Sequence, residues 1–246
     1  MLSLISDFDG TLFFSKEDPQ IHPQDIQKIH EFQKENLFGL CTGRPWVGVS
    51  ALKANDIDCD FYILTSGALI LDKNQNVIYE KTISRSIVQS LLDETEGYAR
   101  SIQAKNALYT MYEKNRYPMP QTIIQSLDEM KEEAVGFSIS AKNEEEAGVL
   151  CKKINEKYDI VALQNRHCID IVAKGCSKGN AVKYVREYLQ LEKIGAIGDS
   201  YNDIDMLEEA DCAFTFSTSP DTVKSVSNHI VSGVEQAIDI MMNSKG

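Results

Sequence analysis

Short apolar runs, each ending at a polar or glycine-containing turn, recur along the chain and predict buried β-strands. The first run covers residues 2–6 and stops at Asp7, with Asp9 and Gly10 just beyond it. The other runs have the same form and lie at residues 37–41, 61–64, 194–197 and 212–216. Continuous apolar runs of this length are typical of strands that are covered on both faces of a sheet.

Apolar residues at helical spacing separate these runs. They occur after Pro23, after Gly179, from Ile204 onward and again from Val234. Strands that alternate with helices predict a Rossmann-like, doubly wound parallel sheet of the α/β class, with helices on both faces. In such sheets ligands collect at the carboxyl ends of the strands, so the polar residues there are the first candidates for chemistry.

The middle of the chain follows a different pattern. Two helical periodicities and two strand-like stretches alternate there, helix first, at residues 84–98, 136–140, 143–158 and 160–163. Two prolines predict a loop at residues 117–120. We therefore predict an inserted α+β cap domain at residues 81–169, within a catalytic core formed by residues 1–80 and 170–246.

The formal net charge of −12 argues against a nucleic-acid partner, because the phosphate backbone attracts basic surfaces. No apolar run approaches the roughly 20 residues that cross a bilayer, and the first residues lack a basic segment typical of a signal peptide. We therefore expect a cytoplasmic protein without a membrane partner. The six cysteines form no CxxC pair, which makes a zinc cluster improbable. The oligomeric state stays open.

Asp7 and Asp9 stand two residues apart at the end of the first predicted strand, and Gly10 follows them. If the backbone bends at this glycine, both carboxylates can face one cavity. Carboxylate oxygens are natural ligands of Mg²⁺, and a pair of acids can also divide the roles of nucleophile and proton donor. The alternative is that Asp7 caps a turn and Asp9 faces solvent.

Three further motifs favour a functional interpretation. Thr42-Gly43 ends the second predicted strand, where a hydroxyl and a free backbone N–H could hold a phosphate oxygen. Lys178 opens a predicted helix, which places its charge near a helix end that favours anions. Asp199 and Asp203 lie four residues apart after another strand and could converge on a cation, although Asp203 could instead cap a helix.

These motifs, taken in order, resemble the four motifs of the haloacid dehalogenase (HAD) superfamily. They are DFDGTL at 7–12, TGR at 42–44, Lys178, and GDSYND at 198–203. The predicted insert between the second and third motifs resembles the α+β cap, type IIB, of the Cof-type subfamily. The resemblance therefore covers nearly the whole chain.

The resemblance implies a Mg²⁺-dependent phosphatase that works through an aspartyl-phosphate intermediate. Asp7 would attack the phosphorus, and Asp9 would protonate the leaving oxygen and later activate water. The implied Mg²⁺ ligands are the Asp7 side chain, the Asp9 backbone carbonyl and Asp199, with Asp203 supporting them directly or through water. Little covalent work is left to the protein, so positioning and charge neutralisation must supply most of the catalysis.

The resemblance also implies which residues bind the substrate. The transferring phosphoryl group would be held by Thr42, Gly43, Lys178 and Asn202. Possible further substrate contacts are Arg44, Ser66 and, from the cap, Arg166; Arg44 could equally pair with surface acids. The expected substrates are small phosphorylated metabolites, sugar phosphates first and nucleotides or phosphorylated cofactors second.

Two alternatives remain open from the sequence. A phosphomutase or phosphotransferase on the same scaffold would use the same acids and differ only in which group accepts the phosphoryl group. A non-enzymatic phospho-acceptor switch of the receiver type also combines clustered acids, a threonine and a lysine in a doubly wound fold. Receiver domains are about half as long as this chain and need no inserted cap, which disfavours that alternative.

Overall fold

The computed structural model describes residues 1–111 and 119–243. The first two residues of the predicted loop at 117–120, Tyr117 and Pro118, therefore lie outside the described residues. Within the described ranges, no helix is both long and apolar enough to cross a membrane.

The described part of the chain contains fourteen strands and eight α-helices. Numbered along the chain, the strands are β1 (Leu2–Ser6), β2 (Leu37–Cys41), β3 (Phe61–Leu64), β4 (Leu69–Asp72), β5 (Val77–Glu80), β6 (Ala99–Gln103), β7 (Leu108–Thr110), β8 (Thr122–Ile123), β9 (Gly136–Ser140), β10 (Ile160–Asn165), β11 (Cys168–Ala173), β12 (Lys193–Ile197), β13 (Cys212–Phe216) and β14 (His229–Val231). The helices are α1 (Pro23–Phe32), α2 (Ser50–Ala54), α3 (Arg85–Glu94), α4 (Glu144–Lys157), α5 (Lys178–Tyr188), α6 (Ile204–Glu209), α7 (Asp221–Ser225) and α8 (Val234–Asn243).

The larger sheet has the spatial order β14-β13-β12-β1-β2-β3-β4-β5. Its strands from β14 to β3 are parallel, whereas β4 and β5 form an antiparallel extension at one edge. The predicted α/β class is confirmed, and the five predicted strands are all present. Sequence analysis did not predict the antiparallel strands β4 and β5. A short strand has the same residue pattern in either direction, so only its pairing shows whether it is parallel or antiparallel.

Side chains alternate along the central strands between two apolar layers. Leu4 and Leu40 belong to the layer that contains residues of α1 and α8. Ile5 and Cys41 point the other way, into the layer that contains residues of α5, α6 and α7. Burial on both faces explains why these strands are continuous apolar runs rather than alternating ones. This burial also determines where each strand ends and therefore where the polar residues that follow it are placed.

A second sheet has the order β10-β11-β9-β6-β7-β8 and is antiparallel except for the β7–β8 pair. One face packs on α3 and α4 through alternate apolar residues such as Ile102, Phe137 and Ile171. The predicted helix at 84–98 ends earlier, at Glu94, because the chain turns at Gly97, where φ is +90°. The predicted helix at 143–158 agrees with α4, which Asn143 caps by accepting from Glu146 N at 2.8 Å.

The predicted end of the insert at residue 169 falls inside a strand. β11 pairs with β9 as far as Val172 and with β10 as far as Ala173, so it belongs to the second sheet over its whole length. We propose that the cap domain extends to Ala173, four residues beyond the predicted boundary. At the other end, residue 81 lies between β5 and α3, in the segment that joins the two sheets.

Candidate active site

Asp7 leaves the central strand β1 at its carboxyl end. Its backbone N–H donates to the carbonyl of Ile197 on β12 at 2.9 Å, which continues the parallel ladder by one residue. Its side chain is only 8% exposed, and Oδ1 accepts a hydrogen bond from Lys178 Nζ at 2.5 Å. The same Nζ donates to Asp203 Oδ1 at 2.6 Å. Lys178, the first residue of α5, thus joins the first and last sequence motifs.

Asp203 has two structural roles. Its Oδ2 accepts hydrogen bonds from the backbone N–H groups of Asp199 and Ser200, each at 3.0 Å. It therefore stabilises the turn after β12, in a capping box with Ser200, but it makes no side-chain cap hydrogen bond to α6, the helix that follows it. Its Oδ1 pairs with Lys178, so it also belongs to the charged cluster. The turn and the charged cluster use different oxygens of Asp203, so one side chain serves both.

Three carboxylates converge at this point. Asp7, Asp199 and Asp203 each offer an oxygen atom, and these atoms all lie within 4.8 Å of one another. Gly10, at φ +83°, lets the loop after β1 pass beside Asp199, since a Cβ placed there would lie 2.8 Å from Asp199 Oδ2. Three acids facing one lysine leave an excess of negative charge. Oxygen donors in this number fit a hard divalent cation such as Mg²⁺.

The protonation equilibria of the cluster reflect that excess. Burial, together with the nearby charge of Asp203, raises the pKa of Asp7 well above its ordinary value, although Lys178 opposes the change. The same two causes raise the pKa of Asp199 to about 6. Burial alone would lower the pKa of Lys178, but Asp203 and Asp7 raise it well above its ordinary value. A divalent cation among the carboxylates would favour their ionised forms.

Asp7 and Asp199 of this cluster line a cavity of about 590 Å³, which Thr42, Gly43 and Asn202 also line. Thr42 follows β2 and is buried. Its Oγ1 accepts from the backbone N–H of Arg44 at 3.2 Å, which leaves its hydroxyl proton to be donated to an anion. Lys178 and Asp203 are not among the described residues that line the cavity; both are buried behind Asp7.

Asp9 lies at the cavity with its side chain 48% exposed and is held by Arg44. Arg44 Nε and Nη2 donate to the two Asp9 oxygens at 2.7 and 2.6 Å, and Nη1 donates to the carbonyl of Gly48 at 2.8 Å. The guanidinium carbon also lies 5.0 and 5.2 Å from the ring centroids of Phe8 and Phe13. Arg44 therefore pairs with an acid, and that acid is Asp9 at the edge of the cavity.

The other two possible substrate residues lie in different environments. Ser66 is buried, has φ +49° and donates its backbone N–H to the carbonyl of Thr42 at 3.0 Å, so it supports the Thr42 loop. It is not among the described residues that line the cavity. Arg166 does line the cavity, from the β10–β11 turn of the second sheet. Its Nη2 lies 3.8 Å from Asp199 Oδ2, and its side chain is 67% exposed.

Sequence analysis missed the polar face that the second sheet presents to the cavity. Its residues are Ser101, Gln103, Ser138, Ser140 and Asp170, which we refer to as the cap face. The signal was present in the sequence, since polar and apolar residues alternate through 136–140 and again from Cys168 to Asp170. Period-two alternation predicts one buried face and one polar face, and the polar face here lines the cavity instead of open solvent.

Comparisons with known proteins identify the family of the chain. The family model of haloacid dehalogenase-like hydrolases matches residues 4–237. A phosphoglycolate phosphatase from Sulfurisphaera tokodaii is 28% identical over 242 residues, covering 97% of this chain and 90% of the relative. A haloacid dehalogenase-like hydrolase from B. subtilis superimposes with a TM-score of 0.84 at 21% identity, covering 98% and 99% of the two chains. A HAD subclass IIB sugar phosphatase does so with a TM-score of 0.80 at 19% identity, covering 99% of both. The family predicted from the motifs is confirmed.

Proposed function

We propose that this chain, which belongs to the haloacid dehalogenase-like hydrolases, is a Mg²⁺-dependent phosphatase that acts on small phosphorylated metabolites through an aspartyl-phosphate intermediate. One observation carries the proposal. Asp7, Asp199 and Asp203, from sequence positions almost 200 residues apart, meet beside Lys178, and two of them, Asp7 and Asp199, line a cavity that Thr42 also lines. Sugar phosphates are the first substrates to test, with nucleotides and phosphorylated cofactors second.

The carboxylates that would hold Mg²⁺ are those of Asp7 and Asp199, with Asp203 supporting them and the Asp9 backbone carbonyl as a further ligand. The three carboxylates lie close together, and the pKa values of Asp7 and Asp199 are raised although Lys178 lowers both. The single charge of Lys178 therefore does not balance the negative charge of the site, which supports a bound cation. When bound there, the ion would neutralise charge on the phosphoryl oxygens. Thr42 and the Gly43 backbone would bind those oxygens from the other side, with Asn202 at the rim.

The proposed chemistry needs two acids with different surroundings. Asp7 Oδ1 is held by Lys178, which leaves Oδ2 to attack the phosphorus. The P–O bond to the leaving group then breaks, and Asp9 gives its proton to the departing oxygen. In the second half, Asp9 takes a proton from water, the water oxygen attacks the phosphorus, and release of phosphate regenerates Asp7.

Arg44 is proposed to position Asp9 for these transfers. Both Asp9 oxygens accept hydrogen bonds from Arg44, so one of these bonds has to be released before that oxygen can carry a proton to the leaving group. The aromatic contacts and the Gly48 carbonyl keep the guanidinium in place while the second bond is retained. The half-exposed position of Asp9 also gives water access to it.

The experiment that tests the proposal is phosphate release from phenyl phosphate with and without Mg²⁺. We expect turnover that EDTA abolishes, and a loss of at least about 10³-fold in Asp7→Asn, because the amide is no nucleophile. The matched control is Asp58→Asn, which removes an exposed carboxylate in the loop before β3. Full activity in Asp7→Asn, or turnover unaffected by EDTA, would refute the nucleophile or the metal requirement, respectively.

A phosphomutase would share the same core residues, and the products separate the two activities. A sugar monophosphate substrate yields inorganic phosphate with a phosphatase and an isomeric sugar phosphate with a mutase. A receiver-type switch would instead retain the phosphoryl group on Asp7 without turnover. The cytoplasmic location expected from the sequence stays a prediction.

A further inference from the structure

Three residues of the cap face form a chain of hydrogen bonds that ends at the carboxylate of Asp170. Gln103 Nε2 donates to Ser138 Oγ at 2.8 Å, and Ser138 Oγ donates to Asp170 Oδ1 at 2.9 Å. Each donor in this relay is directed toward the next acceptor, and the relay ends at the carboxylate. Gln103 is buried, so its position is fixed by packing as well as by this bond.

The other carboxylate oxygen, Asp170 Oδ2, is left for a ligand. No described residue donates a hydrogen bond to it, although the carboxylate lines the cavity. Burial raises the pKa of Asp170 to about 6, with the Ser138 hydrogen bond opposing the change, so the group is largely ionised above pH 7. A partly buried, ionised acceptor without a donor is stabilised by any hydroxyl or amine that reaches it.

Asp170 lies close to Gly43, at the proposed phosphoryl site. A Cβ placed on Gly43 would lie 2.7 Å from Asp170 Oδ2, so only glycine lets the Thr42 loop pass beneath the carboxylate. We therefore infer that a substrate whose phosphoryl group is held by that loop places its adjacent carbon atoms near Asp170. The substituents on those carbons, rather than a distant part of the substrate, would meet the free oxygen.

The charge of the cavity also disfavours a second anionic group on the substrate. Its acidic lining residues among those described are Asp7, Asp9, Glu17, Asp170 and Asp199. Its lysines and arginines are Lys16, Arg44 and Arg166, and Arg44 is already paired with Asp9. A carboxylate on the carbon skeleton would meet the like charge of Asp170, while Arg44 is paired with Asp9 and Arg166 lies 3.8 Å from Asp199.

We propose that Asp170 selects the substrate: it accepts a hydrogen bond from a hydroxyl close to the phosphate ester and rejects substrates that carry a carboxylate there. This inference rests on the proposed phosphatase function. It predicts polyol and sugar phosphates as substrates and disfavours phosphorylated carboxylic acids. The phosphoglycolate phosphatase that this chain resembles is named for a substrate of the disfavoured class.

The test compares two substrates of equal length. sn-Glycerol 3-phosphate and 3-phosphoglycerate differ in a terminal hydroxymethyl or carboxylate group, and phenyl phosphate, which has neither, is the reference. We expect the protein to favour glycerol 3-phosphate in kcat/KM at pH 7.5 by about tenfold or more. In Asp170→Asn, kcat/KM should fall about tenfold for glycerol 3-phosphate and rise for 3-phosphoglycerate, because the amide loses the charge and gains a donor.

A second variant and a control separate charge from orientation. Ser138→Ala removes the bond that orients Asp170 but keeps its charge, so we expect a threefold to tenfold loss with glycerol 3-phosphate and no gain with 3-phosphoglycerate. Asp128→Asn removes the same charge from a cap carboxylate that is 89% exposed, and should leave the preference unchanged.

The outcomes distinguish this inference from the function on which it rests. If the protein hydrolyses phenyl phosphate but turns over 3-phosphoglycerate as well as glycerol 3-phosphate, the selection by Asp170 is wrong and the phosphatase proposal stands. An Asp170→Asn variant that is folded by circular dichroism and keeps the natural preference overturns the inference in the same way. Failure to release phosphate from phenyl phosphate refutes the phosphatase proposal itself.

Discussion

Replacing Lys178 by methionine tests the electrostatic account of the active site without relying on any substrate. The lysine is 1% exposed and lies 2.5 and 2.6 Å from the carboxylate oxygens of Asp7 and Asp203. Methionine fills a similar volume but leaves three clustered carboxylates with no cation. We therefore expect the free energy of unfolding to fall in this variant, and to fall by an amount that depends on pH.

The magnitude follows from the burial of the pair. Two opposite charges about 4 Å apart attract by about 4 kcal/mol at an effective dielectric constant near 20, and Lys178 makes two such pairs. Part of this attraction is cancelled by the free-energy cost of removing the lysine charge from water, and the variant does not have that cost. Breaking a buried ion pair from one side typically costs about 3–5 kcal/mol, and we expect a loss in that range at pH 8 in the absence of divalent ions.

Protonation of the carboxylates makes the loss smaller at low pH. Lys178 lowers the pKa values of Asp7 and Asp199, so its removal raises both further above their unfolded values. An acid whose pKa is raised by folding contributes most stability when protonated and loses that contribution as the pH rises through the folded pKa. The difference between the natural protein and the variant should therefore grow from pH 5 to pH 8.

Urea unfolding with EDTA present, at pH 5 and pH 8, measures both effects. The matched control is Lys183→Met on the same helix, where the lysine is 56% exposed and pairs with Glu209 at 3.0 Å. Such a surface pair is worth about 0–1 kcal/mol, so the control should change little at either pH. A loss below about 1 kcal/mol for Lys178→Met at pH 8, or a loss that is as large at pH 5, would show that the cluster is not held together by this charge.

Two further substitutions test other parts of the account. Asp25, buried at the start of α1, has its pKa raised to about 7 by burial and by the Glu235 side chain; its stabilising contribution should be lost as the pH rises from about 4 to 7. Asp25→Asn should therefore make the free energy of unfolding depend less on pH and should raise that free energy by about 1 kcal/mol or more at pH 8. Urea unfolding measures both effects, and an unchanged pH dependence would contradict this. Arg44→Lys cannot keep the bidentate contact with Asp9. If Arg44 positions the acid, this variant should lose at least about tenfold more kcat/KM with glycerol 3-phosphate than with 4-nitrophenyl phosphate, whose leaving group needs no proton; equal losses would assign Arg44 a general structural role.

The local pattern of residues was sufficient to predict the strands of the core and the family of the chain. Continuous apolar runs that end at turns mark doubly buried strands wherever they occur, because burial on both faces excludes polar residues. β1 and β2 were therefore predictable to the residue, and the acids and the Thr42-Gly43 turn follow directly from where those strands end. Each motif is short and local, so it can be recognised in the sequence, and the order of the motifs identified the family.

Contacts between distant residues were decided only by the tertiary structure. Lys178 is 171 residues from Asp7, and their 2.5 Å contact depends on where α5 begins relative to the end of β1, which no local pattern encodes. Arg44 was equally compatible with a phosphate and with a surface acid, and the packing of its guanidinium on Phe8 and Phe13 directs it to Asp9. Asp170 occupies a polar position of a strand pattern, and such alternation identifies a polar face but not what that face covers. The cap face of the second sheet lines the same cavity as Asp7 and Asp199, so an ordinary polar strand position becomes part of that cavity.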